Sequence, residues 1–154
     1  SQVILSGRNI NDNMGKHIAD KLVKSLISQK KDLNKAKVGI LGFTFKEDCP
    51  DTRNTKVYDI VKELNEFGIE PIIVDPQADK DETKDIYGIE LKKYYELIDL
   101  DALLIAVSHK EFKKLEKKQI SDLYKDGKKI LFDLKGIYDI DEYETDDNYL
   151  YWGL

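Results

Sequence analysis

Gly42-Phe-Thr-Phe-Lys-Glu-Asp-Cys-Pro-Asp-Thr-Arg-Asn-Thr55 directly follows an apolar run, Lys37-Val-Gly-Ile-Leu41, and directly precedes an amphipathic helical pattern. Strand, loop and helix in that order open a βαβ unit. The loop between a first strand and its helix is where open α/β sheets hold their ligands. This one carries two aromatics, Lys46, three acids and Arg53 in fourteen residues. A connection that only turned the chain would not need that inventory.

The pattern continues on both sides of the loop. Val57, Ile60, Val61, Leu64 and Phe67 recur at helical spacing over 56–67, and Gly68 stands where a helix-ending glycine belongs. Pro71-Ile-Ile-Val74 reads as a second buried strand, closed by the turn signal Asp75-Pro76. Residues 79–87 read as a short helix or loop, and 94–98 as a short helix. Asp101-Ala-Leu-Leu-Ile-Ala-Val107 is apolar as a central parallel strand should be. Helical pieces at 110–113 and 119–124 lead to a fourth strand, Lys129-Ile-Leu-Phe132. Upstream, Asn11 or Asp12 is a cap for a helix ending near Gln29, with Met14, Ile18, Leu22, Val23, Leu26 and Ile27 on a broad apolar face. The acidic tail, 139–147, ends in Tyr149-Leu-Tyr-Trp-Gly-Leu154, whose aromatics suit docking on the body or on a partner. The fold expected is α/β: a Rossmann-like, three-layer domain with a mainly parallel sheet over 36–154, preceded by a helical segment over 1–35.

Composition narrows the function. The chain has 154 residues, 41% hydrophobic and 36% charged, with a net charge of −5. That balance fits a soluble globular domain and argues against nucleic acid as the main partner. The lysine pairs are scattered among acids and read as solvated faces. No apolar run approaches the roughly 20 residues that span a bilayer. The N-terminus has no signal-peptide pattern and opens without Met in mid-pattern, which reads as a piece of a longer chain. A single cysteine, Cys49, allows no internal disulfide and fits a reducing cytoplasm. No His, Cys and carboxylate cluster has metal-ligand spacing, so no metal is expected. Nor is there a serine nucleophile elbow.

The loop does not read as a dinucleotide cradle. That cradle needs G-x-G-x-x-G, so that bare backbone meets the pyrophosphate. Here Gly39 and Gly42 are followed by Phe43, Phe45 and Pro50. Asp75 stands where a ribose-binding acid would, but without the glycines that signal is weak, and Asp75-Pro76 reads as a strand-ending turn. Lys46 offers a point charge for a phosphate or sugar carboxylate, Arg53 a bidentate fork, and Phe45 a cover for a base or sugar. The plain alternative is that Lys46 and Arg53 pair with Glu47, Asp48 and Asp51. His17 reads as a surface residue, and Ser108 and His109 as capping or solvated residues at a strand end.

Leu41-Gly-Phe-Thr-Phe-Lys-Glu-Asp-Cys-Pro-Asp-Thr-Arg-Asn54 resembles the signature that opens the C-terminal domain of the UDP-glucose/GDP-mannose dehydrogenase family. Cys49-Pro-Asp51 and Asn54 lean toward the branch acting on UDP-N-acetylhexosamines, the Vi-antigen and O-antigen type. Gly7-Arg-Asn-Ile-Asn-Asp-Asn-Met-Gly15 resembles the family's run from its central helical region into this domain, Val74-Asp-Pro76 and Phe132-Asp-Leu-Lys-Gly136 resemble its later strand ends, and Tyr151-Trp-Gly-Leu154 is similar to its C-terminus. The resemblance implies a cytoplasmic enzyme of three parts: an NAD-binding domain, a central helical dimerisation region whose end is 1–35, and this UDP-sugar-binding domain. Its implied reaction oxidises the sugar C6 alcohol to a carboxylate with two NAD, through a thioester on a cysteine of the central region. The resemblance places Phe45 and Lys46 on the UDP-sugar and Arg53 on NAD. Lys135 falls where the glucose-oxidising branch has an arginine, and Asp51 orients Arg53 or the loop. No catalytic residue is expected in this chain, which lacks both the cysteine segment and the NAD fingerprint. Cys49, beside three acids that oppose thiolate formation, is not a candidate nucleophile. The expected partners are UDP-sugar, the other two domains and a second copy of the enzyme. A stand-alone nucleotide-binding module, or an oligomerisation module built on the first helix, is the alternative reading.

Overall fold

The computed structural model describes residues 2–153, with side chains from 13 onward. Five parallel strands form one sheet in the order β2-β1-β3-β4-β5: Val38–Leu41 (β1), Ile72–Val74 (β2), Ala102–Ile105 (β3), Lys129–Asp133 (β4) and Tyr149–Gly153 (β5). Strand side chains alternate between two cores, as the period of two requires. Val38, Ile40, Ala102, Leu104, Ile130 and Phe132 face one apolar layer. Leu41, Leu103, Ile105 and Leu131 face the other. The mainly parallel three-layer expectation is met, and the four strands read from sequence are in place.

On the first face lie α1 (Gln2–Ser28) and α2 (Val57–Glu66). The two helices approach closely at Gly15, where an added Cβ would stand 2.6 Å from the Asp59 Cβ. Ile18, Ala19, Leu22, Val23 and Leu26 of α1 enter the core, but Ile27 is 57% exposed and faces away from it. The helix does not begin at Asn11 or Asp12. It runs unbroken from Gln2, because no proline interrupts it and Ile10 extends the four-residue spacing of Met14 and Ile18. The side chains of 7–12, part of the first family landmark, lie outside the described residues, as does Leu154.

The second face carries a 3₁₀ turn (Tyr94–Glu96), α4 (Lys110–Lys113), α5 (Lys117–Ser121) and α6 (Ile140–Glu144), whereas α3 (Lys80–Tyr87) turns Tyr87 toward the first layer, against Phe43 and Tyr58. Asp79 caps α3 by accepting from the Glu82 N–H at 3.0 Å. The helix expected over 119–124 starts earlier, at Lys117, because Glu116 and Gln119 form a reciprocal cap. The aromatic tail docks on the body as β5, with Trp152 over Phe132 (ring centroids 4.9 Å apart) and Tyr143 stacked on Tyr151 at 5.6 Å. At the opposite end of the sheet, Asp101 ties α1 to β3. Its carboxylate takes Lys31 at 3.0 Å, Lys125 at 2.6 Å and the Lys37 N–H at 2.9 Å. Among the described residues no helix is long and apolar enough to cross a membrane.

Candidate functional site

Strand order reverses between β1 and β3, and the chain leaves each of them at the same edge of the sheet. Ligands of open parallel sheets collect in that crevice. Gly42 makes the exit from β1 possible. Its φ is +101°, and a Cβ there would stand 2.6 Å from the Val107 Cβ on the neighbouring exit.

Buried side chains, not glycines, hold the rest of the loop. Asp75 sits at the end of β2 with no exposed side-chain surface. One oxygen accepts from the N–H groups of Phe43 (2.6 Å) and Thr44 (3.2 Å) and from His109 Nε2 (2.9 Å). The other accepts from the N–H groups of Gln77 (2.9 Å) and Ala78 (3.0 Å). Burial works to raise the Asp75 pKa, but the His109 hydrogen bond and the Phe43 and Gln77 amides outweigh it, so the value lies below the ordinary one. Its oxygens are committed to these donors, which removes Asp75 as a ribose-binding acid. His109 is fully buried, which corrects the solvated reading. The Asp48 N–H donates to its Nδ1 at 3.0 Å, so the ring proton is on Nε2, facing Asp75 and, at 3.1 Å, the Thr44 hydroxyl oxygen. Asp48 takes φ +54° to make that bond. On the far side, Thr52 donates its N–H and hydroxyl to Glu82 at 2.8 and 2.9 Å, and Tyr87 donates to the Thr52 carbonyl at 2.6 Å. His17 is exposed, as expected, with its ring edge toward Trp152.

What this scaffold presents is a groove of about 260 Å³ over the ends of β1, β3 and β4. Its floor is Thr44, Val57, Ala106 and Val107, and Phe45, Lys46, Lys56 and Lys135 stand around it. The structure therefore brings together Phe45, Lys46 and Lys135, which the sequence singled out from segments ninety residues apart. Phe45 is 56% exposed. Among the described residues, the ammonium groups of Lys46, Lys56 and Lys135 have no carboxylate within ion-pair distance. Glu47 also borders the groove, but its carboxylate accepts from the Ser108 hydroxyl at 2.9 Å and pairs with Lys113 at 3.7 Å. Three unneutralised cations around one hollow suit a polyanionic ligand such as a diphosphate. The groove continues past Lys56, Val57, Ala106 and Lys135 into a second hollow of about 330 Å³ beside Met14, Gly15 and Ile18 of α1.

Arg53 and Asp51 lie apart from the groove. Arg53 donates to Asp51 through Nε (3.0 Å) and Nη2 (3.2 Å), and this hydrogen-bonded pairing raises the Arg53 pKa and lowers that of Asp51. The plain pairing alternative thus describes Arg53 but not Lys46. Arg53 borders a separate hollow with Asn54, Ile86 and Tyr87, joined to the groove side through Thr55 and Lys56. Cys49 is half-buried and does not border the groove. No cluster of three or more metal-ligating side chains exists among the described residues. Sequence reasoning missed Lys56 because it reads as the first residue of a helix. Its place just before Val57, itself just after the loop, was the available signal.

The sequence profile of the UDP-glucose/GDP-mannose dehydrogenase family, UDP binding domain, matches residues 39–140. The chain belongs to this family. Among curated relatives of the UDP-glucose/GDP-mannose dehydrogenases, protein CapL of Staphylococcus aureus is 47% identical over 92% of this chain and 33% of its own length. The UDP-N-acetyl-D-glucosamine 6-dehydrogenase of Salmonella typhi is 41% identical over 87% of this chain and 31% of its own. The chain spans about a third of the length of these relatives. In structure, the NDP-N-acetyl-D-galactosaminuronic acid dehydrogenase of Methanosarcina mazei Go1 superposes with a TM-score of 0.84 at 21% identity, over 97% of this chain and 30% of its own, and so shares the fold. The residues that line the groove all lie within the matched span, 39–140.

Proposed function

We propose that this chain is the substrate-binding jaw of an NAD-dependent nucleotide-sugar 6-dehydrogenase. The enzyme oxidises a UDP-N-acetylhexosamine or UDP-glucose to the uronic acid, in the cytoplasm, for capsule or O-antigen polysaccharide. The observation that carries the reading is the trio Lys46, Lys56 and Lys135 around one groove with no carboxylate to neutralise them. Identities of 41% and 38% to two UDP-N-acetyl-D-glucosamine 6-dehydrogenases support the acetamido-sugar branch. Residues 1–35 are the end of a central helical region, and 36–154 are the UDP-sugar-binding domain. The whole enzyme works as a homodimer or higher oligomer.

In this reading the lysines meet the diphosphate and the sugar, and exposed Phe45 covers the ligand from the loop side. Charges in such a crevice hold the reacting C6 in place rather than transform it. Loop rigidity matters because a lysine swinging on a mobile loop would lose that orientation. NAD supplies the hydride acceptor when bound. The residues of this chain do not form its cradle, since Phe43 fills the loop interior where a dinucleotide needs bare backbone. Arg53, exposed on the outer side with its fork ordered by Asp51, is this chain's contribution toward a dinucleotide held elsewhere. Cys49 takes no part, and this chain alone turns over no sugar.

Lys46→Ala in the whole enzyme is expected to lower kcat/KM by about 1–3 kcal/mol, the scale of a lost hydrogen bond to a charged group. Unchanged kinetics would sink the assignment. Titration calorimetry of this chain with UDP should show weak binding, as befits one side of a cleft. Tight binding would instead support a self-sufficient nucleotide-binding module.

A further inference from the structure

A further hollow, of about 460 Å³ and separate from those above, opens beyond the end of β2. Its apolar wall, Val74, Phe112 and Leu115, packs with the second core layer, whereas Val57, Ala106 and Val107 of the Lys46 groove belong to the first. The two hollows therefore lie on opposite faces of the sheet.

Three lysines come to this hollow from two separate segments. Lys80 is the first residue of α3. Lys92 is fixed by backbone pairing with β2, its N–H donating to the Ile73 carbonyl at 2.8 Å. Lys93 precedes the 3₁₀ turn, and its N–H is held by Glu96 at 2.8 Å. Lys80 and Lys93 border the same hollow, and the nearby Lys93 charge lowers the Lys80 pKa. Two ammonium groups facing each other repel unless an anion lies between them. Among the described residues neither has a carboxylate within ion-pair distance, and Lys92 has only exposed Glu90 at 3.9 Å. The two acids in the wall are engaged elsewhere. Glu111 accepts from Gln77 Nε2 at 2.7 Å, and both oxygens of Asp75 serve the Lys46 loop and the turn after β2. Beside the cations, Tyr94 and Pro76 complete a flat apolar rim.

We propose that this hollow binds an organic phosphate with a flat apolar body, the class of a nucleoside monophosphate. The phosphate lies between Lys80 and Lys93, and the ring rests against Val74, Phe112 and Tyr94. Clustered ammonium groups match a phosphate dianion, while an apolar wall of this size would be wasted on a bare ion. The site is independent of the proposed UDP-sugar groove.

The test is a titration of the ¹⁵N-labelled chain with AMP, and separately with inorganic phosphate. The amides of Lys80, Lys93 and Tyr94 are followed beside those of Lys46 and Ser108. AMP should move the first set saturably and bind at least about tenfold more tightly than inorganic phosphate. The double variant Lys80→Ala, Lys93→Ala should weaken AMP at least about tenfold and leave UDP-induced shifts at Lys46 and Ser108 unchanged. No saturable movement at Lys80 and Lys93, equal affinity for both probes, or full AMP affinity in the double variant would each overturn the proposal. Absence of any UDP response at Lys46 counts against the other groove and not against this one.

Discussion

His109 does its work out of reach of solvent. Its two nitrogens reach three groups in two segments distant in sequence: the Asp48 amide and Thr44 hydroxyl of the loop, and the Asp75 carboxylate. Replacing it with alanine would leave Asp75 short of a donor and the Asp48 amide without an acceptor. His109→Ala should cost about 2–4 kcal/mol in urea unfolding, from the cavity and the unpaired groups together. A loss under about 0.5 kcal/mol would contradict the described role. No local pattern announced this histidine, because its partners lie more than thirty positions away in sequence. Lys46 and Phe45 were legible for the opposite reason: an exposed cation and an exposed aromatic in a polar loop have no structural duty that explains them. Lys135 needed the resemblance, and Lys56 needed the fold.

Among the elements, α1 and β3 meet at Asp101, where burial alone would raise the carboxyl pKa. The Lys125 hydrogen bond, the Lys37 amide and Lys31 reverse that and depress it. A depressed folded-state value contributes stability that is fully present above the unfolded carboxyl pKa of about 3.9, and that is lost as pH falls through the folded value. Asp101→Asn should therefore destabilise by about 1–3 kcal/mol at pH 7, measured by denaturant unfolding. The gap between variant and parent should shrink below about pH 4. A gap that persists undiminished into strong acid would mean that Asp101 acts by shape and not by charge. The bounds of β1, β2 and β4 were readable within a residue because buried parallel strands are short apolar runs between turns. β5 was not read as a strand. Its sequence alternates tyrosine with leucine and tryptophan after an acidic stretch, and what makes it a strand is the free edge of β4. The start of α1 was misplaced because Asn11-Asp12 has the chemistry of a cap wherever it stands.

At the scale of the whole molecule, one sheet separates two apolar layers, and every strand belongs to both. Neither layer can dissolve without the strands that also face the other. Trp152, the sole tryptophan, sits on edge strand β5 against Phe132 and reports on the end of the sheet farthest from β2. Its fluorescence and the far-UV dichroism should follow one superimposable denaturant transition. Two resolved transitions would show that β5 and its tyrosine cluster separate from the rest. The loop at 42–55 joins this cooperative unit by an unusual route. Amides of Phe43, Thr44, Asp48 and Thr52 donate to buried or half-buried side chains, not to a strand or helix ladder. In heavy water such amides should trade their protons at the pace of core strands, even though Phe45 and Lys46 beside them are open to solvent. Fast exchange at Phe43 and Thr44 would contradict this. An irregular loop that keeps its protons this way meets an incoming ligand already in shape, so binding carries little ordering entropy. In the proposed groove, the place of Lys46 is then set by the folded chain before any ligand arrives.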